Sequence, residues 1–364
     1  MKSEHLVFVH LFNDFSGSPR VLADAIEGLD KRNKSISIFT SSHNGFLSNI
    51  SGTKLFNIKY KKCNNKYLNF FYYLLSQLDA FIKLIFFFRT LEKNKTLLIV
   101  NTMLPFGALL AGRVCGVKVV CYVHETAIKP KLLKIILRFF IKTCSNSVVF
   151  VSKYLMKVEK INGLPNSVIY NGLRQDFIPP GHINYEEKFA SNTILLVASL
   201  KVYKGIYEFV ELAKIMPDYN FVAALNCHDE ELKYFIDNND LSDNIELLAR
   251  PDSLQRFYER ASFVLNLSRP EGWIETFGLS ILEGMSFGCV VIVPKVGAPP
   301  EFVDKNCGLL ANGRDLIIIK DFIRTMDFET WFKLSKNAKI RSDCFSNSKF
   351  TLNFNEYINK CFEE

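Results

Sequence analysis

Paired cysteines are missing from this chain. Its nine cysteines, at positions 63, 115, 121, 144, 227, 289, 307, 344 and 361, are scattered, and no Cys-x-x-Cys occurs. A disulfide framework is not indicated; most of the nine sit in apolar contexts as small core residues, which suits a reducing cytosol. Zinc-finger spacing, a basic helix with heptads and an aromatic RNA-binding signature are all lacking, so nucleic acid is not an expected partner. The N-terminal run MKSEHLVFVHLFND has no signal-peptide h-region or cleavage site and enters a strand. A long uninterrupted apolar run is lacking too. The greasiest stretch, 67–88, is broken by Asn69, Gln77, Asp79 and Lys83, which predicts a buried or interfacial helix over a transmembrane span. The expected location is cytoplasmic.

What remains is ample material for a large core. The 364 residues favour two domains, and 48% of them are hydrophobic, with 33 Phe and 14 Tyr. A net charge of +8 favours anionic partners. Apolar runs alternate with helical periodicity along the whole chain, which predicts parallel α/β architecture. In the first half, strands are expected at 6–12, 35–40, 97–100, 117–123, 147–151 and 167–170, with residues 41–66 as a lysine-bearing loop. In the second half they are expected at 193–198, 220–225, 244–247, 263–267 and 290–293. Residues 174–190, with Pro-Pro-Gly and no apolar period, look like an interdomain linker.

The stretch 264–303, VLNLSRPEGWIETFGLSILEGMSFGCVVIVPKVGAPPEFV, is the most informative. A strand leads into a loop with Pro270 and Gly272. A helix is predicted from Phe277–Gly278 to about Phe287, and a second strand ends at Pro294. Glu275 sits just before the helix, and Glu283 lies eight residues on, within it. Between them, the N–H groups of Phe277, Gly278 and Leu279 open a helix, where unpaired donors and the dipole favour an anion. A glutamate repels phosphate but accepts from neutral hydroxyls. Hydroxyls on both sides of a phosphate is the layout of a nucleotide-sugar.

The block Glu275-Thr-Phe-Gly-Leu-Ser-Ile-Leu-Glu283, followed by Gly-Met-Ser-Phe-Gly288 and Val-Val-Ile-Val-Pro, resembles the Glu-x7-Glu signature of retaining glycosyltransferases of family 4, the glycosyltransferase group 1 family. The resemblance is strongest over 193–310, and it implies two doubly wound Rossmann-like domains facing a cleft, the GT-B fold. Its expected layout is an acceptor-side domain over 1–175, a linker over 176–190, a donor-binding domain over 191–344 and a terminal helix over 345–364 that crosses back. Implied is transfer of a hexose-type sugar from a UDP- or GDP-linked donor to a glycan or lipid-linked acceptor, with retention, in bacterial surface polysaccharide synthesis. No metal or other cofactor is expected, since no Asp-x-Asp occurs. A sugar-nucleotide 2-epimerase on the same fold, or an inactive GT-B scaffold, is the alternative.

The resemblance also assigns residues. Glu275, His124 and Lys204 are the expected catalytic groups: Glu275 holds sugar hydroxyls, His124 stands at a strand end facing the reaction centre, and Lys204 in Lys204-Gly205 clamps the diphosphate. Donor contacts are expected from Gly17 and Ser18 in the first Gly/Ser-rich turn, from Lys201, from the N–H groups of Phe277, Gly278 and Leu279, and from Glu283 on the ribose. Arg20 and Glu125 are expected on the acceptor side. One departure stands out: the family's usual arginine is replaced by Ser199, and Lys201 is the expected substitute, without the bidentate fork of arginine.

Finally, Lys131, Lys134, Arg138 and Lys142 share one helical face opposite Leu132, Leu133, Ile135, Ile136, Phe139 and Phe140. Together with Lys59, Lys61, Lys62 and Lys66 ahead of the aromatic helix, this basic face predicts peripheral binding to an anionic membrane surface. The competing expectation is a core helix with only its lysines outside.

Overall fold

The computed structural model describes residues 4–63 and 65–363. The chain forms two compact units: one runs to Gly172 and takes in the segment from Ser348, and the other is Leu173–Asn347.

The first unit contains β1 (Glu4–Val9), α1 (Gly17–Glu27), β2 (Lys34–Ser41), β3 (Thr53–Ile58), α2 (Lys66–Phe88), β4 (Thr96–Asn101), α3 (Phe106–Cys115), β5 (Lys118–Val123), α4 (Lys131–Cys144), β6 (Ser147–Phe150), α5 (Lys153–Glu159) and β7 (Asn166–Val168). Its seven strands are all parallel, in the order β3-β2-β1-β4-β5-β6-β7. The central strands are continuous apolar runs because helices cover both faces; Leu6 through Val9, Leu97 through Val100 and Val119 through Val123 are buried.

The second unit contains α6 (Tyr185–Ala190), β8 (Thr193–Ser199), α7 (Ile206–Ile215), β9 (Asn220–Asn226), α8 (Asp229–Asp237), β10 (Ile245–Ala249), α9 (Gln255–Arg260), β11 (Phe263–Leu265), α10 (Leu279–Ser286), β12 (Val290–Pro294), β13 (Gly308–Ala311), α11 (Leu316–Arg324) and α12 (Phe328–Ser342). Its six strands are parallel, in the order β10-β9-β8-β11-β12-β13. Phe209, Phe221, Ile292 and Trp331 lie in its core. The last helix, α13 (Asn347–Glu363), packs on the first unit. There Asn355 donates to the Gly28 carbonyl (2.9 Å) and Tyr357 bonds the Ser147 hydroxyl (2.7 Å).

Three sequence expectations change here. Residues 41–66 are not all loop: β3 lies within them, at the sheet edge. Lys54 and Asn57, on opposite faces, are exposed and Leu55 is half exposed, so β3 lacks the apolar run that marks its neighbours. The first unit ends at Gly172, and the stretch expected to be a linker holds α6, capped by the Asn184 side chain. The third change concerns α4. Lys134 and Arg138 do not face outward: both pair with Glu159, Lys134 by a short contact to Oε1 and Arg138 at 2.6 Å to Oε2. Glu159 is 1% exposed, and a carboxylate that deep requires its cations. Instead Leu132, Ile135, Ile136 and Phe139 stand in solvent, while Leu137, Ile141 and Cys144 face the unit.

Helices α2 and α3 cross closely. A Cβ on Gly107 would lie 2.2 Å from the Gln77 carbonyl oxygen, and the Gly107 N–H donates to Gln77 Oε1 at 3.0 Å. Gly107→Ala should therefore destabilise the protein by about 1–3 kcal/mol, read from denaturant unfolding. Gly17→Ala, whose added Cβ meets nothing within 4 Å, should cost no stability; equal losses in the two variants would contradict this packing.

Candidate functional site

Ligands of open parallel sheets bind beyond the carboxyl ends of the strands, where the strand order reverses. The reversal falls between β1 and β4 in the first sheet and between β8 and β11 in the second. Each unit carries a polar cluster there.

In the second unit, β8 runs into the turn that holds Lys204. Gly205 has φ +83, and an added Cβ would lie 2.3 Å from Leu267 Cβ, so only glycine lets α7 start against the loop after β11. That approach brings Lys204 Nζ to 3.1 Å from Glu275 Oε2. Asn266, at the end of β11, donates to the same oxygen at 3.3 Å. Trp273 lies under the ammonium, 4.7 Å from ring centre to Nζ, and stacks on Tyr203. The Glu275 carbonyl accepts from Ala298 N–H at 2.9 Å, and Gly297, with φ +107, leaves no room there for a side chain. The carboxylate and the cation are thus held by three loops converging on one point.

Helix α10 begins at Leu279, after Gly278 in the left-handed region (φ 102), and no side chain caps its N-terminus. The sequence placed its start slightly early. The Phe277 ring is buried and packs on Phe302 and Phe345. Glu283 is 6% exposed; Tyr258 donates its hydroxyl to Oε2 at 2.9 Å, and Arg174 Nε lies 3.2 Å from Oε1.

Lys201 does not join this cluster. It is half exposed and reaches Glu231 at 3.8 Å. Arg269, whose N–H bonds the Tyr203 carbonyl, is itself tied to Glu208 by a 2.6 Å hydrogen bond.

In the first unit, Asn101 at the end of β4 donates to His10 Nδ1 (3.0 Å) and to the Ser18 carbonyl (3.1 Å). It fastens the ends of β1 and β4 to the first turn of α1, where Gly17 and Ser18 stand. His124 follows β5, with its ring 4.4 Å from that of Tyr122. Among the described residues, its Nε2 and Asn101 Oδ1 find no hydrogen-bond partner although both are buried. Burial holds the His10 and His124 imidazoles neutral, at about 4 and about 3 respectively, and His10 further lowers His124. Glu125 accepts from the N–H groups of Met103 (2.8 Å) and His124 (3.2 Å), yet desolvation raises its carboxyl to about 7. Arg20 is not free for a ligand: Asp24 pairs with it at 2.9 Å.

His10, Asn101, Arg174, Tyr258, Asn266 and Trp273 were not predicted from the sequence. His10, Asn101 and Asn266 end strands, as His124 does, and the strand-end rule that singled out His124 reaches them too. Arg174 gives no local signal. Among the described residues, no group of three metal-ligating side chains occurs.

Residues 183–323 match the family model described as glycosyl transferases group 1. Both units find counterparts in solved structures. HepE of Anabaena, solved with UDP and glucose, has a TM-score of 0.79 at 16% identity, covering 99% of this chain and 100% of the other. Sucrose-phosphate synthase of Thermosynechococcus elongatus gives 0.78 at 14% identity, covering 99% of each. A glycosyltransferase of Rickettsia africae gives 0.78 at 15%, covering all of both chains. The fold is GT-B. An uncharacterized glycosyltransferase of Haemophilus influenzae is 24% identical over 174 residues, which is 44% of this chain and 47% of that protein. The chain thus spans about half the length of that curated relative. The GT-B fold accounts for the paired reversal points, and the Lys204–Glu275 pair lies within the matched segment.

The buried histidines make a pH prediction. In the unfolded chain they protonate below about pH 6.5, whereas in the folded protein they stay neutral to about 4 or below. Unfolding therefore takes up protons, and stability falls as pH drops through this window. Glu125 has the opposite sign: its folded carboxyl keeps a proton up to about 7, so its contribution is present at low pH and lost as pH rises. From pH 7 to 5, His124→Gln should lose less stability than wild type, by up to about 2 kcal/mol, and Glu125→Gln should lose more. Parallel curves for all three proteins would contradict the assignment.

Proposed function

We propose that this protein transfers a hexose-type sugar from a UDP- or GDP-linked donor to a glycan or lipid-linked acceptor, with retention of anomeric configuration. The observation that carries the reading is the Lys204–Glu275 pair, 3.1 Å apart at the reversal point of the second sheet, beside the uncapped start of α10. The match to glycosyl transferases group 1 over the same segment supports it. So does the likeness to HepE, which was solved with UDP-glucose as well as with its parts.

In this reading the donor's diphosphate lies between Lys204 and the N-terminus of α10. Lys204 exchanges Glu275 for a phosphate oxygen and stabilises the charge that grows as the anomeric C–O bond breaks. Glu275, released from the ammonium and still fixed by Asn266, accepts from hydroxyls of the sugar. Glu283 accepts from the ribose, with Arg174 and Tyr258 setting its orientation. The acceptor oxygen attacks on the face the diphosphate leaves, the electron pair of the broken bond goes to the diphosphate oxygen, and that oxygen takes the acceptor's proton. Protein cations and helix N–H groups supply the charge compensation, with no metal invoked. His124 and Asn101, neutral and with open hydrogen-bonding capacity, suit hydroxyls on the first unit's ligand. The cytoplasm, where nucleotide-sugars are made, is the proposed site of action, and surface polysaccharide synthesis the proposed pathway class.

A second reading is a GT-B protein that binds a nucleotide-sugar without turning it over. Ser199 in place of arginine, together with Lys201 turned to Glu231, favours it. Hydrolysis assays over common UDP- and GDP-sugars, run beside binding measurements, separate the two: tight binding without turnover on any donor or acceptor supports the second.

Two variants test the residue roles. Glu283→Gln keeps the shape and the Tyr258 contact, and it should weaken nucleotide binding by roughly tenfold or more, since a hydrogen bond to a charged group contributes about 1.5–3 kcal/mol. Calorimetry with unchanged affinity removes that role. Lys204→Ala should lower turnover by roughly 10²-fold; full activity would leave the diphosphate without this partner.

A further inference from the structure

The first unit exposes more apolar surface than a surface of isolated residues would. On α2, Tyr67, Phe71, Leu74, Leu78, Ile82 and Phe86 form a stripe along one face, and each is more than two-fifths exposed. At 1.5 Å per residue α2 is about 35 Å long. On α4, Leu132, Ile135, Ile136 and Phe139 are exposed as well. Phe106 of α3 bridges the two helices: its ring stacks on Phe140 of α4 at 4.9 Å and meets Tyr73 of α2 edge-on at 6.0 Å. The stripes therefore belong to one side of the unit. Patches of this extent mark interaction surfaces.

Charge identifies what covers it. Helix α4 contains no acidic residue, and the only one in α2, Asp79, is paired with Lys83 at 2.8 Å. Lys61, Lys62, Lys66, Lys131 and Lys142 are exposed at the helix ends or just before them. Among the described residues, none of these five has a carboxylate within ion-pair distance. A second copy of the chain would set these lysines against one another, whereas an anionic bilayer neutralises them and accepts the apolar side chains between them.

We propose that the outward faces of α2 and α4 insert into the headgroup region of an anionic membrane, with the five lysines at its phosphates. Insertion is in the plane of the membrane. By length and composition α2 could cross a bilayer, but its inner face is fastened to the unit: Tyr73 donates to the Leu104 carbonyl at 2.7 Å, and Asp79 accepts from the Lys59 N–H at 2.9 Å. Of the basic residues of α4, Lys134 and Arg138 take no part, because they are committed to Glu159. The proposal rests on the first unit's surface alone and stands whether or not sugar transfer is the reaction.

Flotation of the full chain with vesicles tests it. Vesicles of phosphatidylcholine with phosphatidylglycerol should carry most of the protein, and phosphatidylcholine alone little. Raising salt should weaken binding without abolishing it, because screening reaches the lysines but not the buried apolar area. The variant Phe71→Glu, Leu78→Glu, Phe139→Glu changes only exposed positions. It should keep the wild-type melting temperature and lose binding by tenfold or more. Lys66→Glu, Lys131→Glu, Lys142→Glu should likewise lose at least tenfold on anionic vesicles. Three results overturn the proposal: equal partition onto neutral and anionic vesicles, no partition onto either, or undiminished binding by the apolar variant. A dimer in sedimentation velocity that the apolar variant dissolves, without vesicle binding, would assign the face to a second copy instead.

Discussion

Reversal of strand order is the constraint on which both units depend. A parallel strand can be followed only by a crossover, and crossovers keep one hand. When the order turns back at β1 and β4, or at β8 and β11, the helices on either side pass to opposite faces and leave the strand ends uncovered. The loops that leave these strands carry Asn101 and His10 in one unit, and Lys204, Asn266 and Glu275 in the other. Polar side chains are tolerated there because they satisfy one another or stand ready for a ligand.

The two clusters solve different electrostatic problems. In the second unit a cation and a carboxylate balance each other over an indole ring. A phosphate that displaces the carboxylate then meets an ammonium already in place, and little reorganisation is needed. In the first unit burial holds the two imidazoles neutral and raises the Glu125 carboxyl to about 7.

Much of this was legible in the sequence, for reasons that differ by residue. The apolar runs of the central strands announced themselves because both of their faces are covered. Edge strand β3 did not, since exposed Lys54 and Asn57 interrupt it on both faces. Glu275, Glu283 and Lys204 were singled out through short local motifs that carry the family resemblance, and Glu275 and Lys204 lie together in the fold. Arg174 was hidden because its partner Glu283 is distant in sequence, and no periodicity connects the two. Lys134 and Arg138 were read as surface charges for the same reason: only the fold brings Glu159 beneath α4. A helical wheel shows which residues share a face but not which face is turned inward.

The course of α13 bears on how the protein is made. This helix supplies Phe350, Phe354, Ile358 and Cys361 to the first unit's interior. The first unit is therefore discontinuous: its sheet leaves the ribosome before the second unit, but the layer that α13 supplies is synthesised after it. Leu173–Asn347 is contiguous and has its full core as soon as it is translated. Folding during synthesis would then complete the second unit while the first still waits, with the underside of its sheet open to chaperones until the final helix arrives.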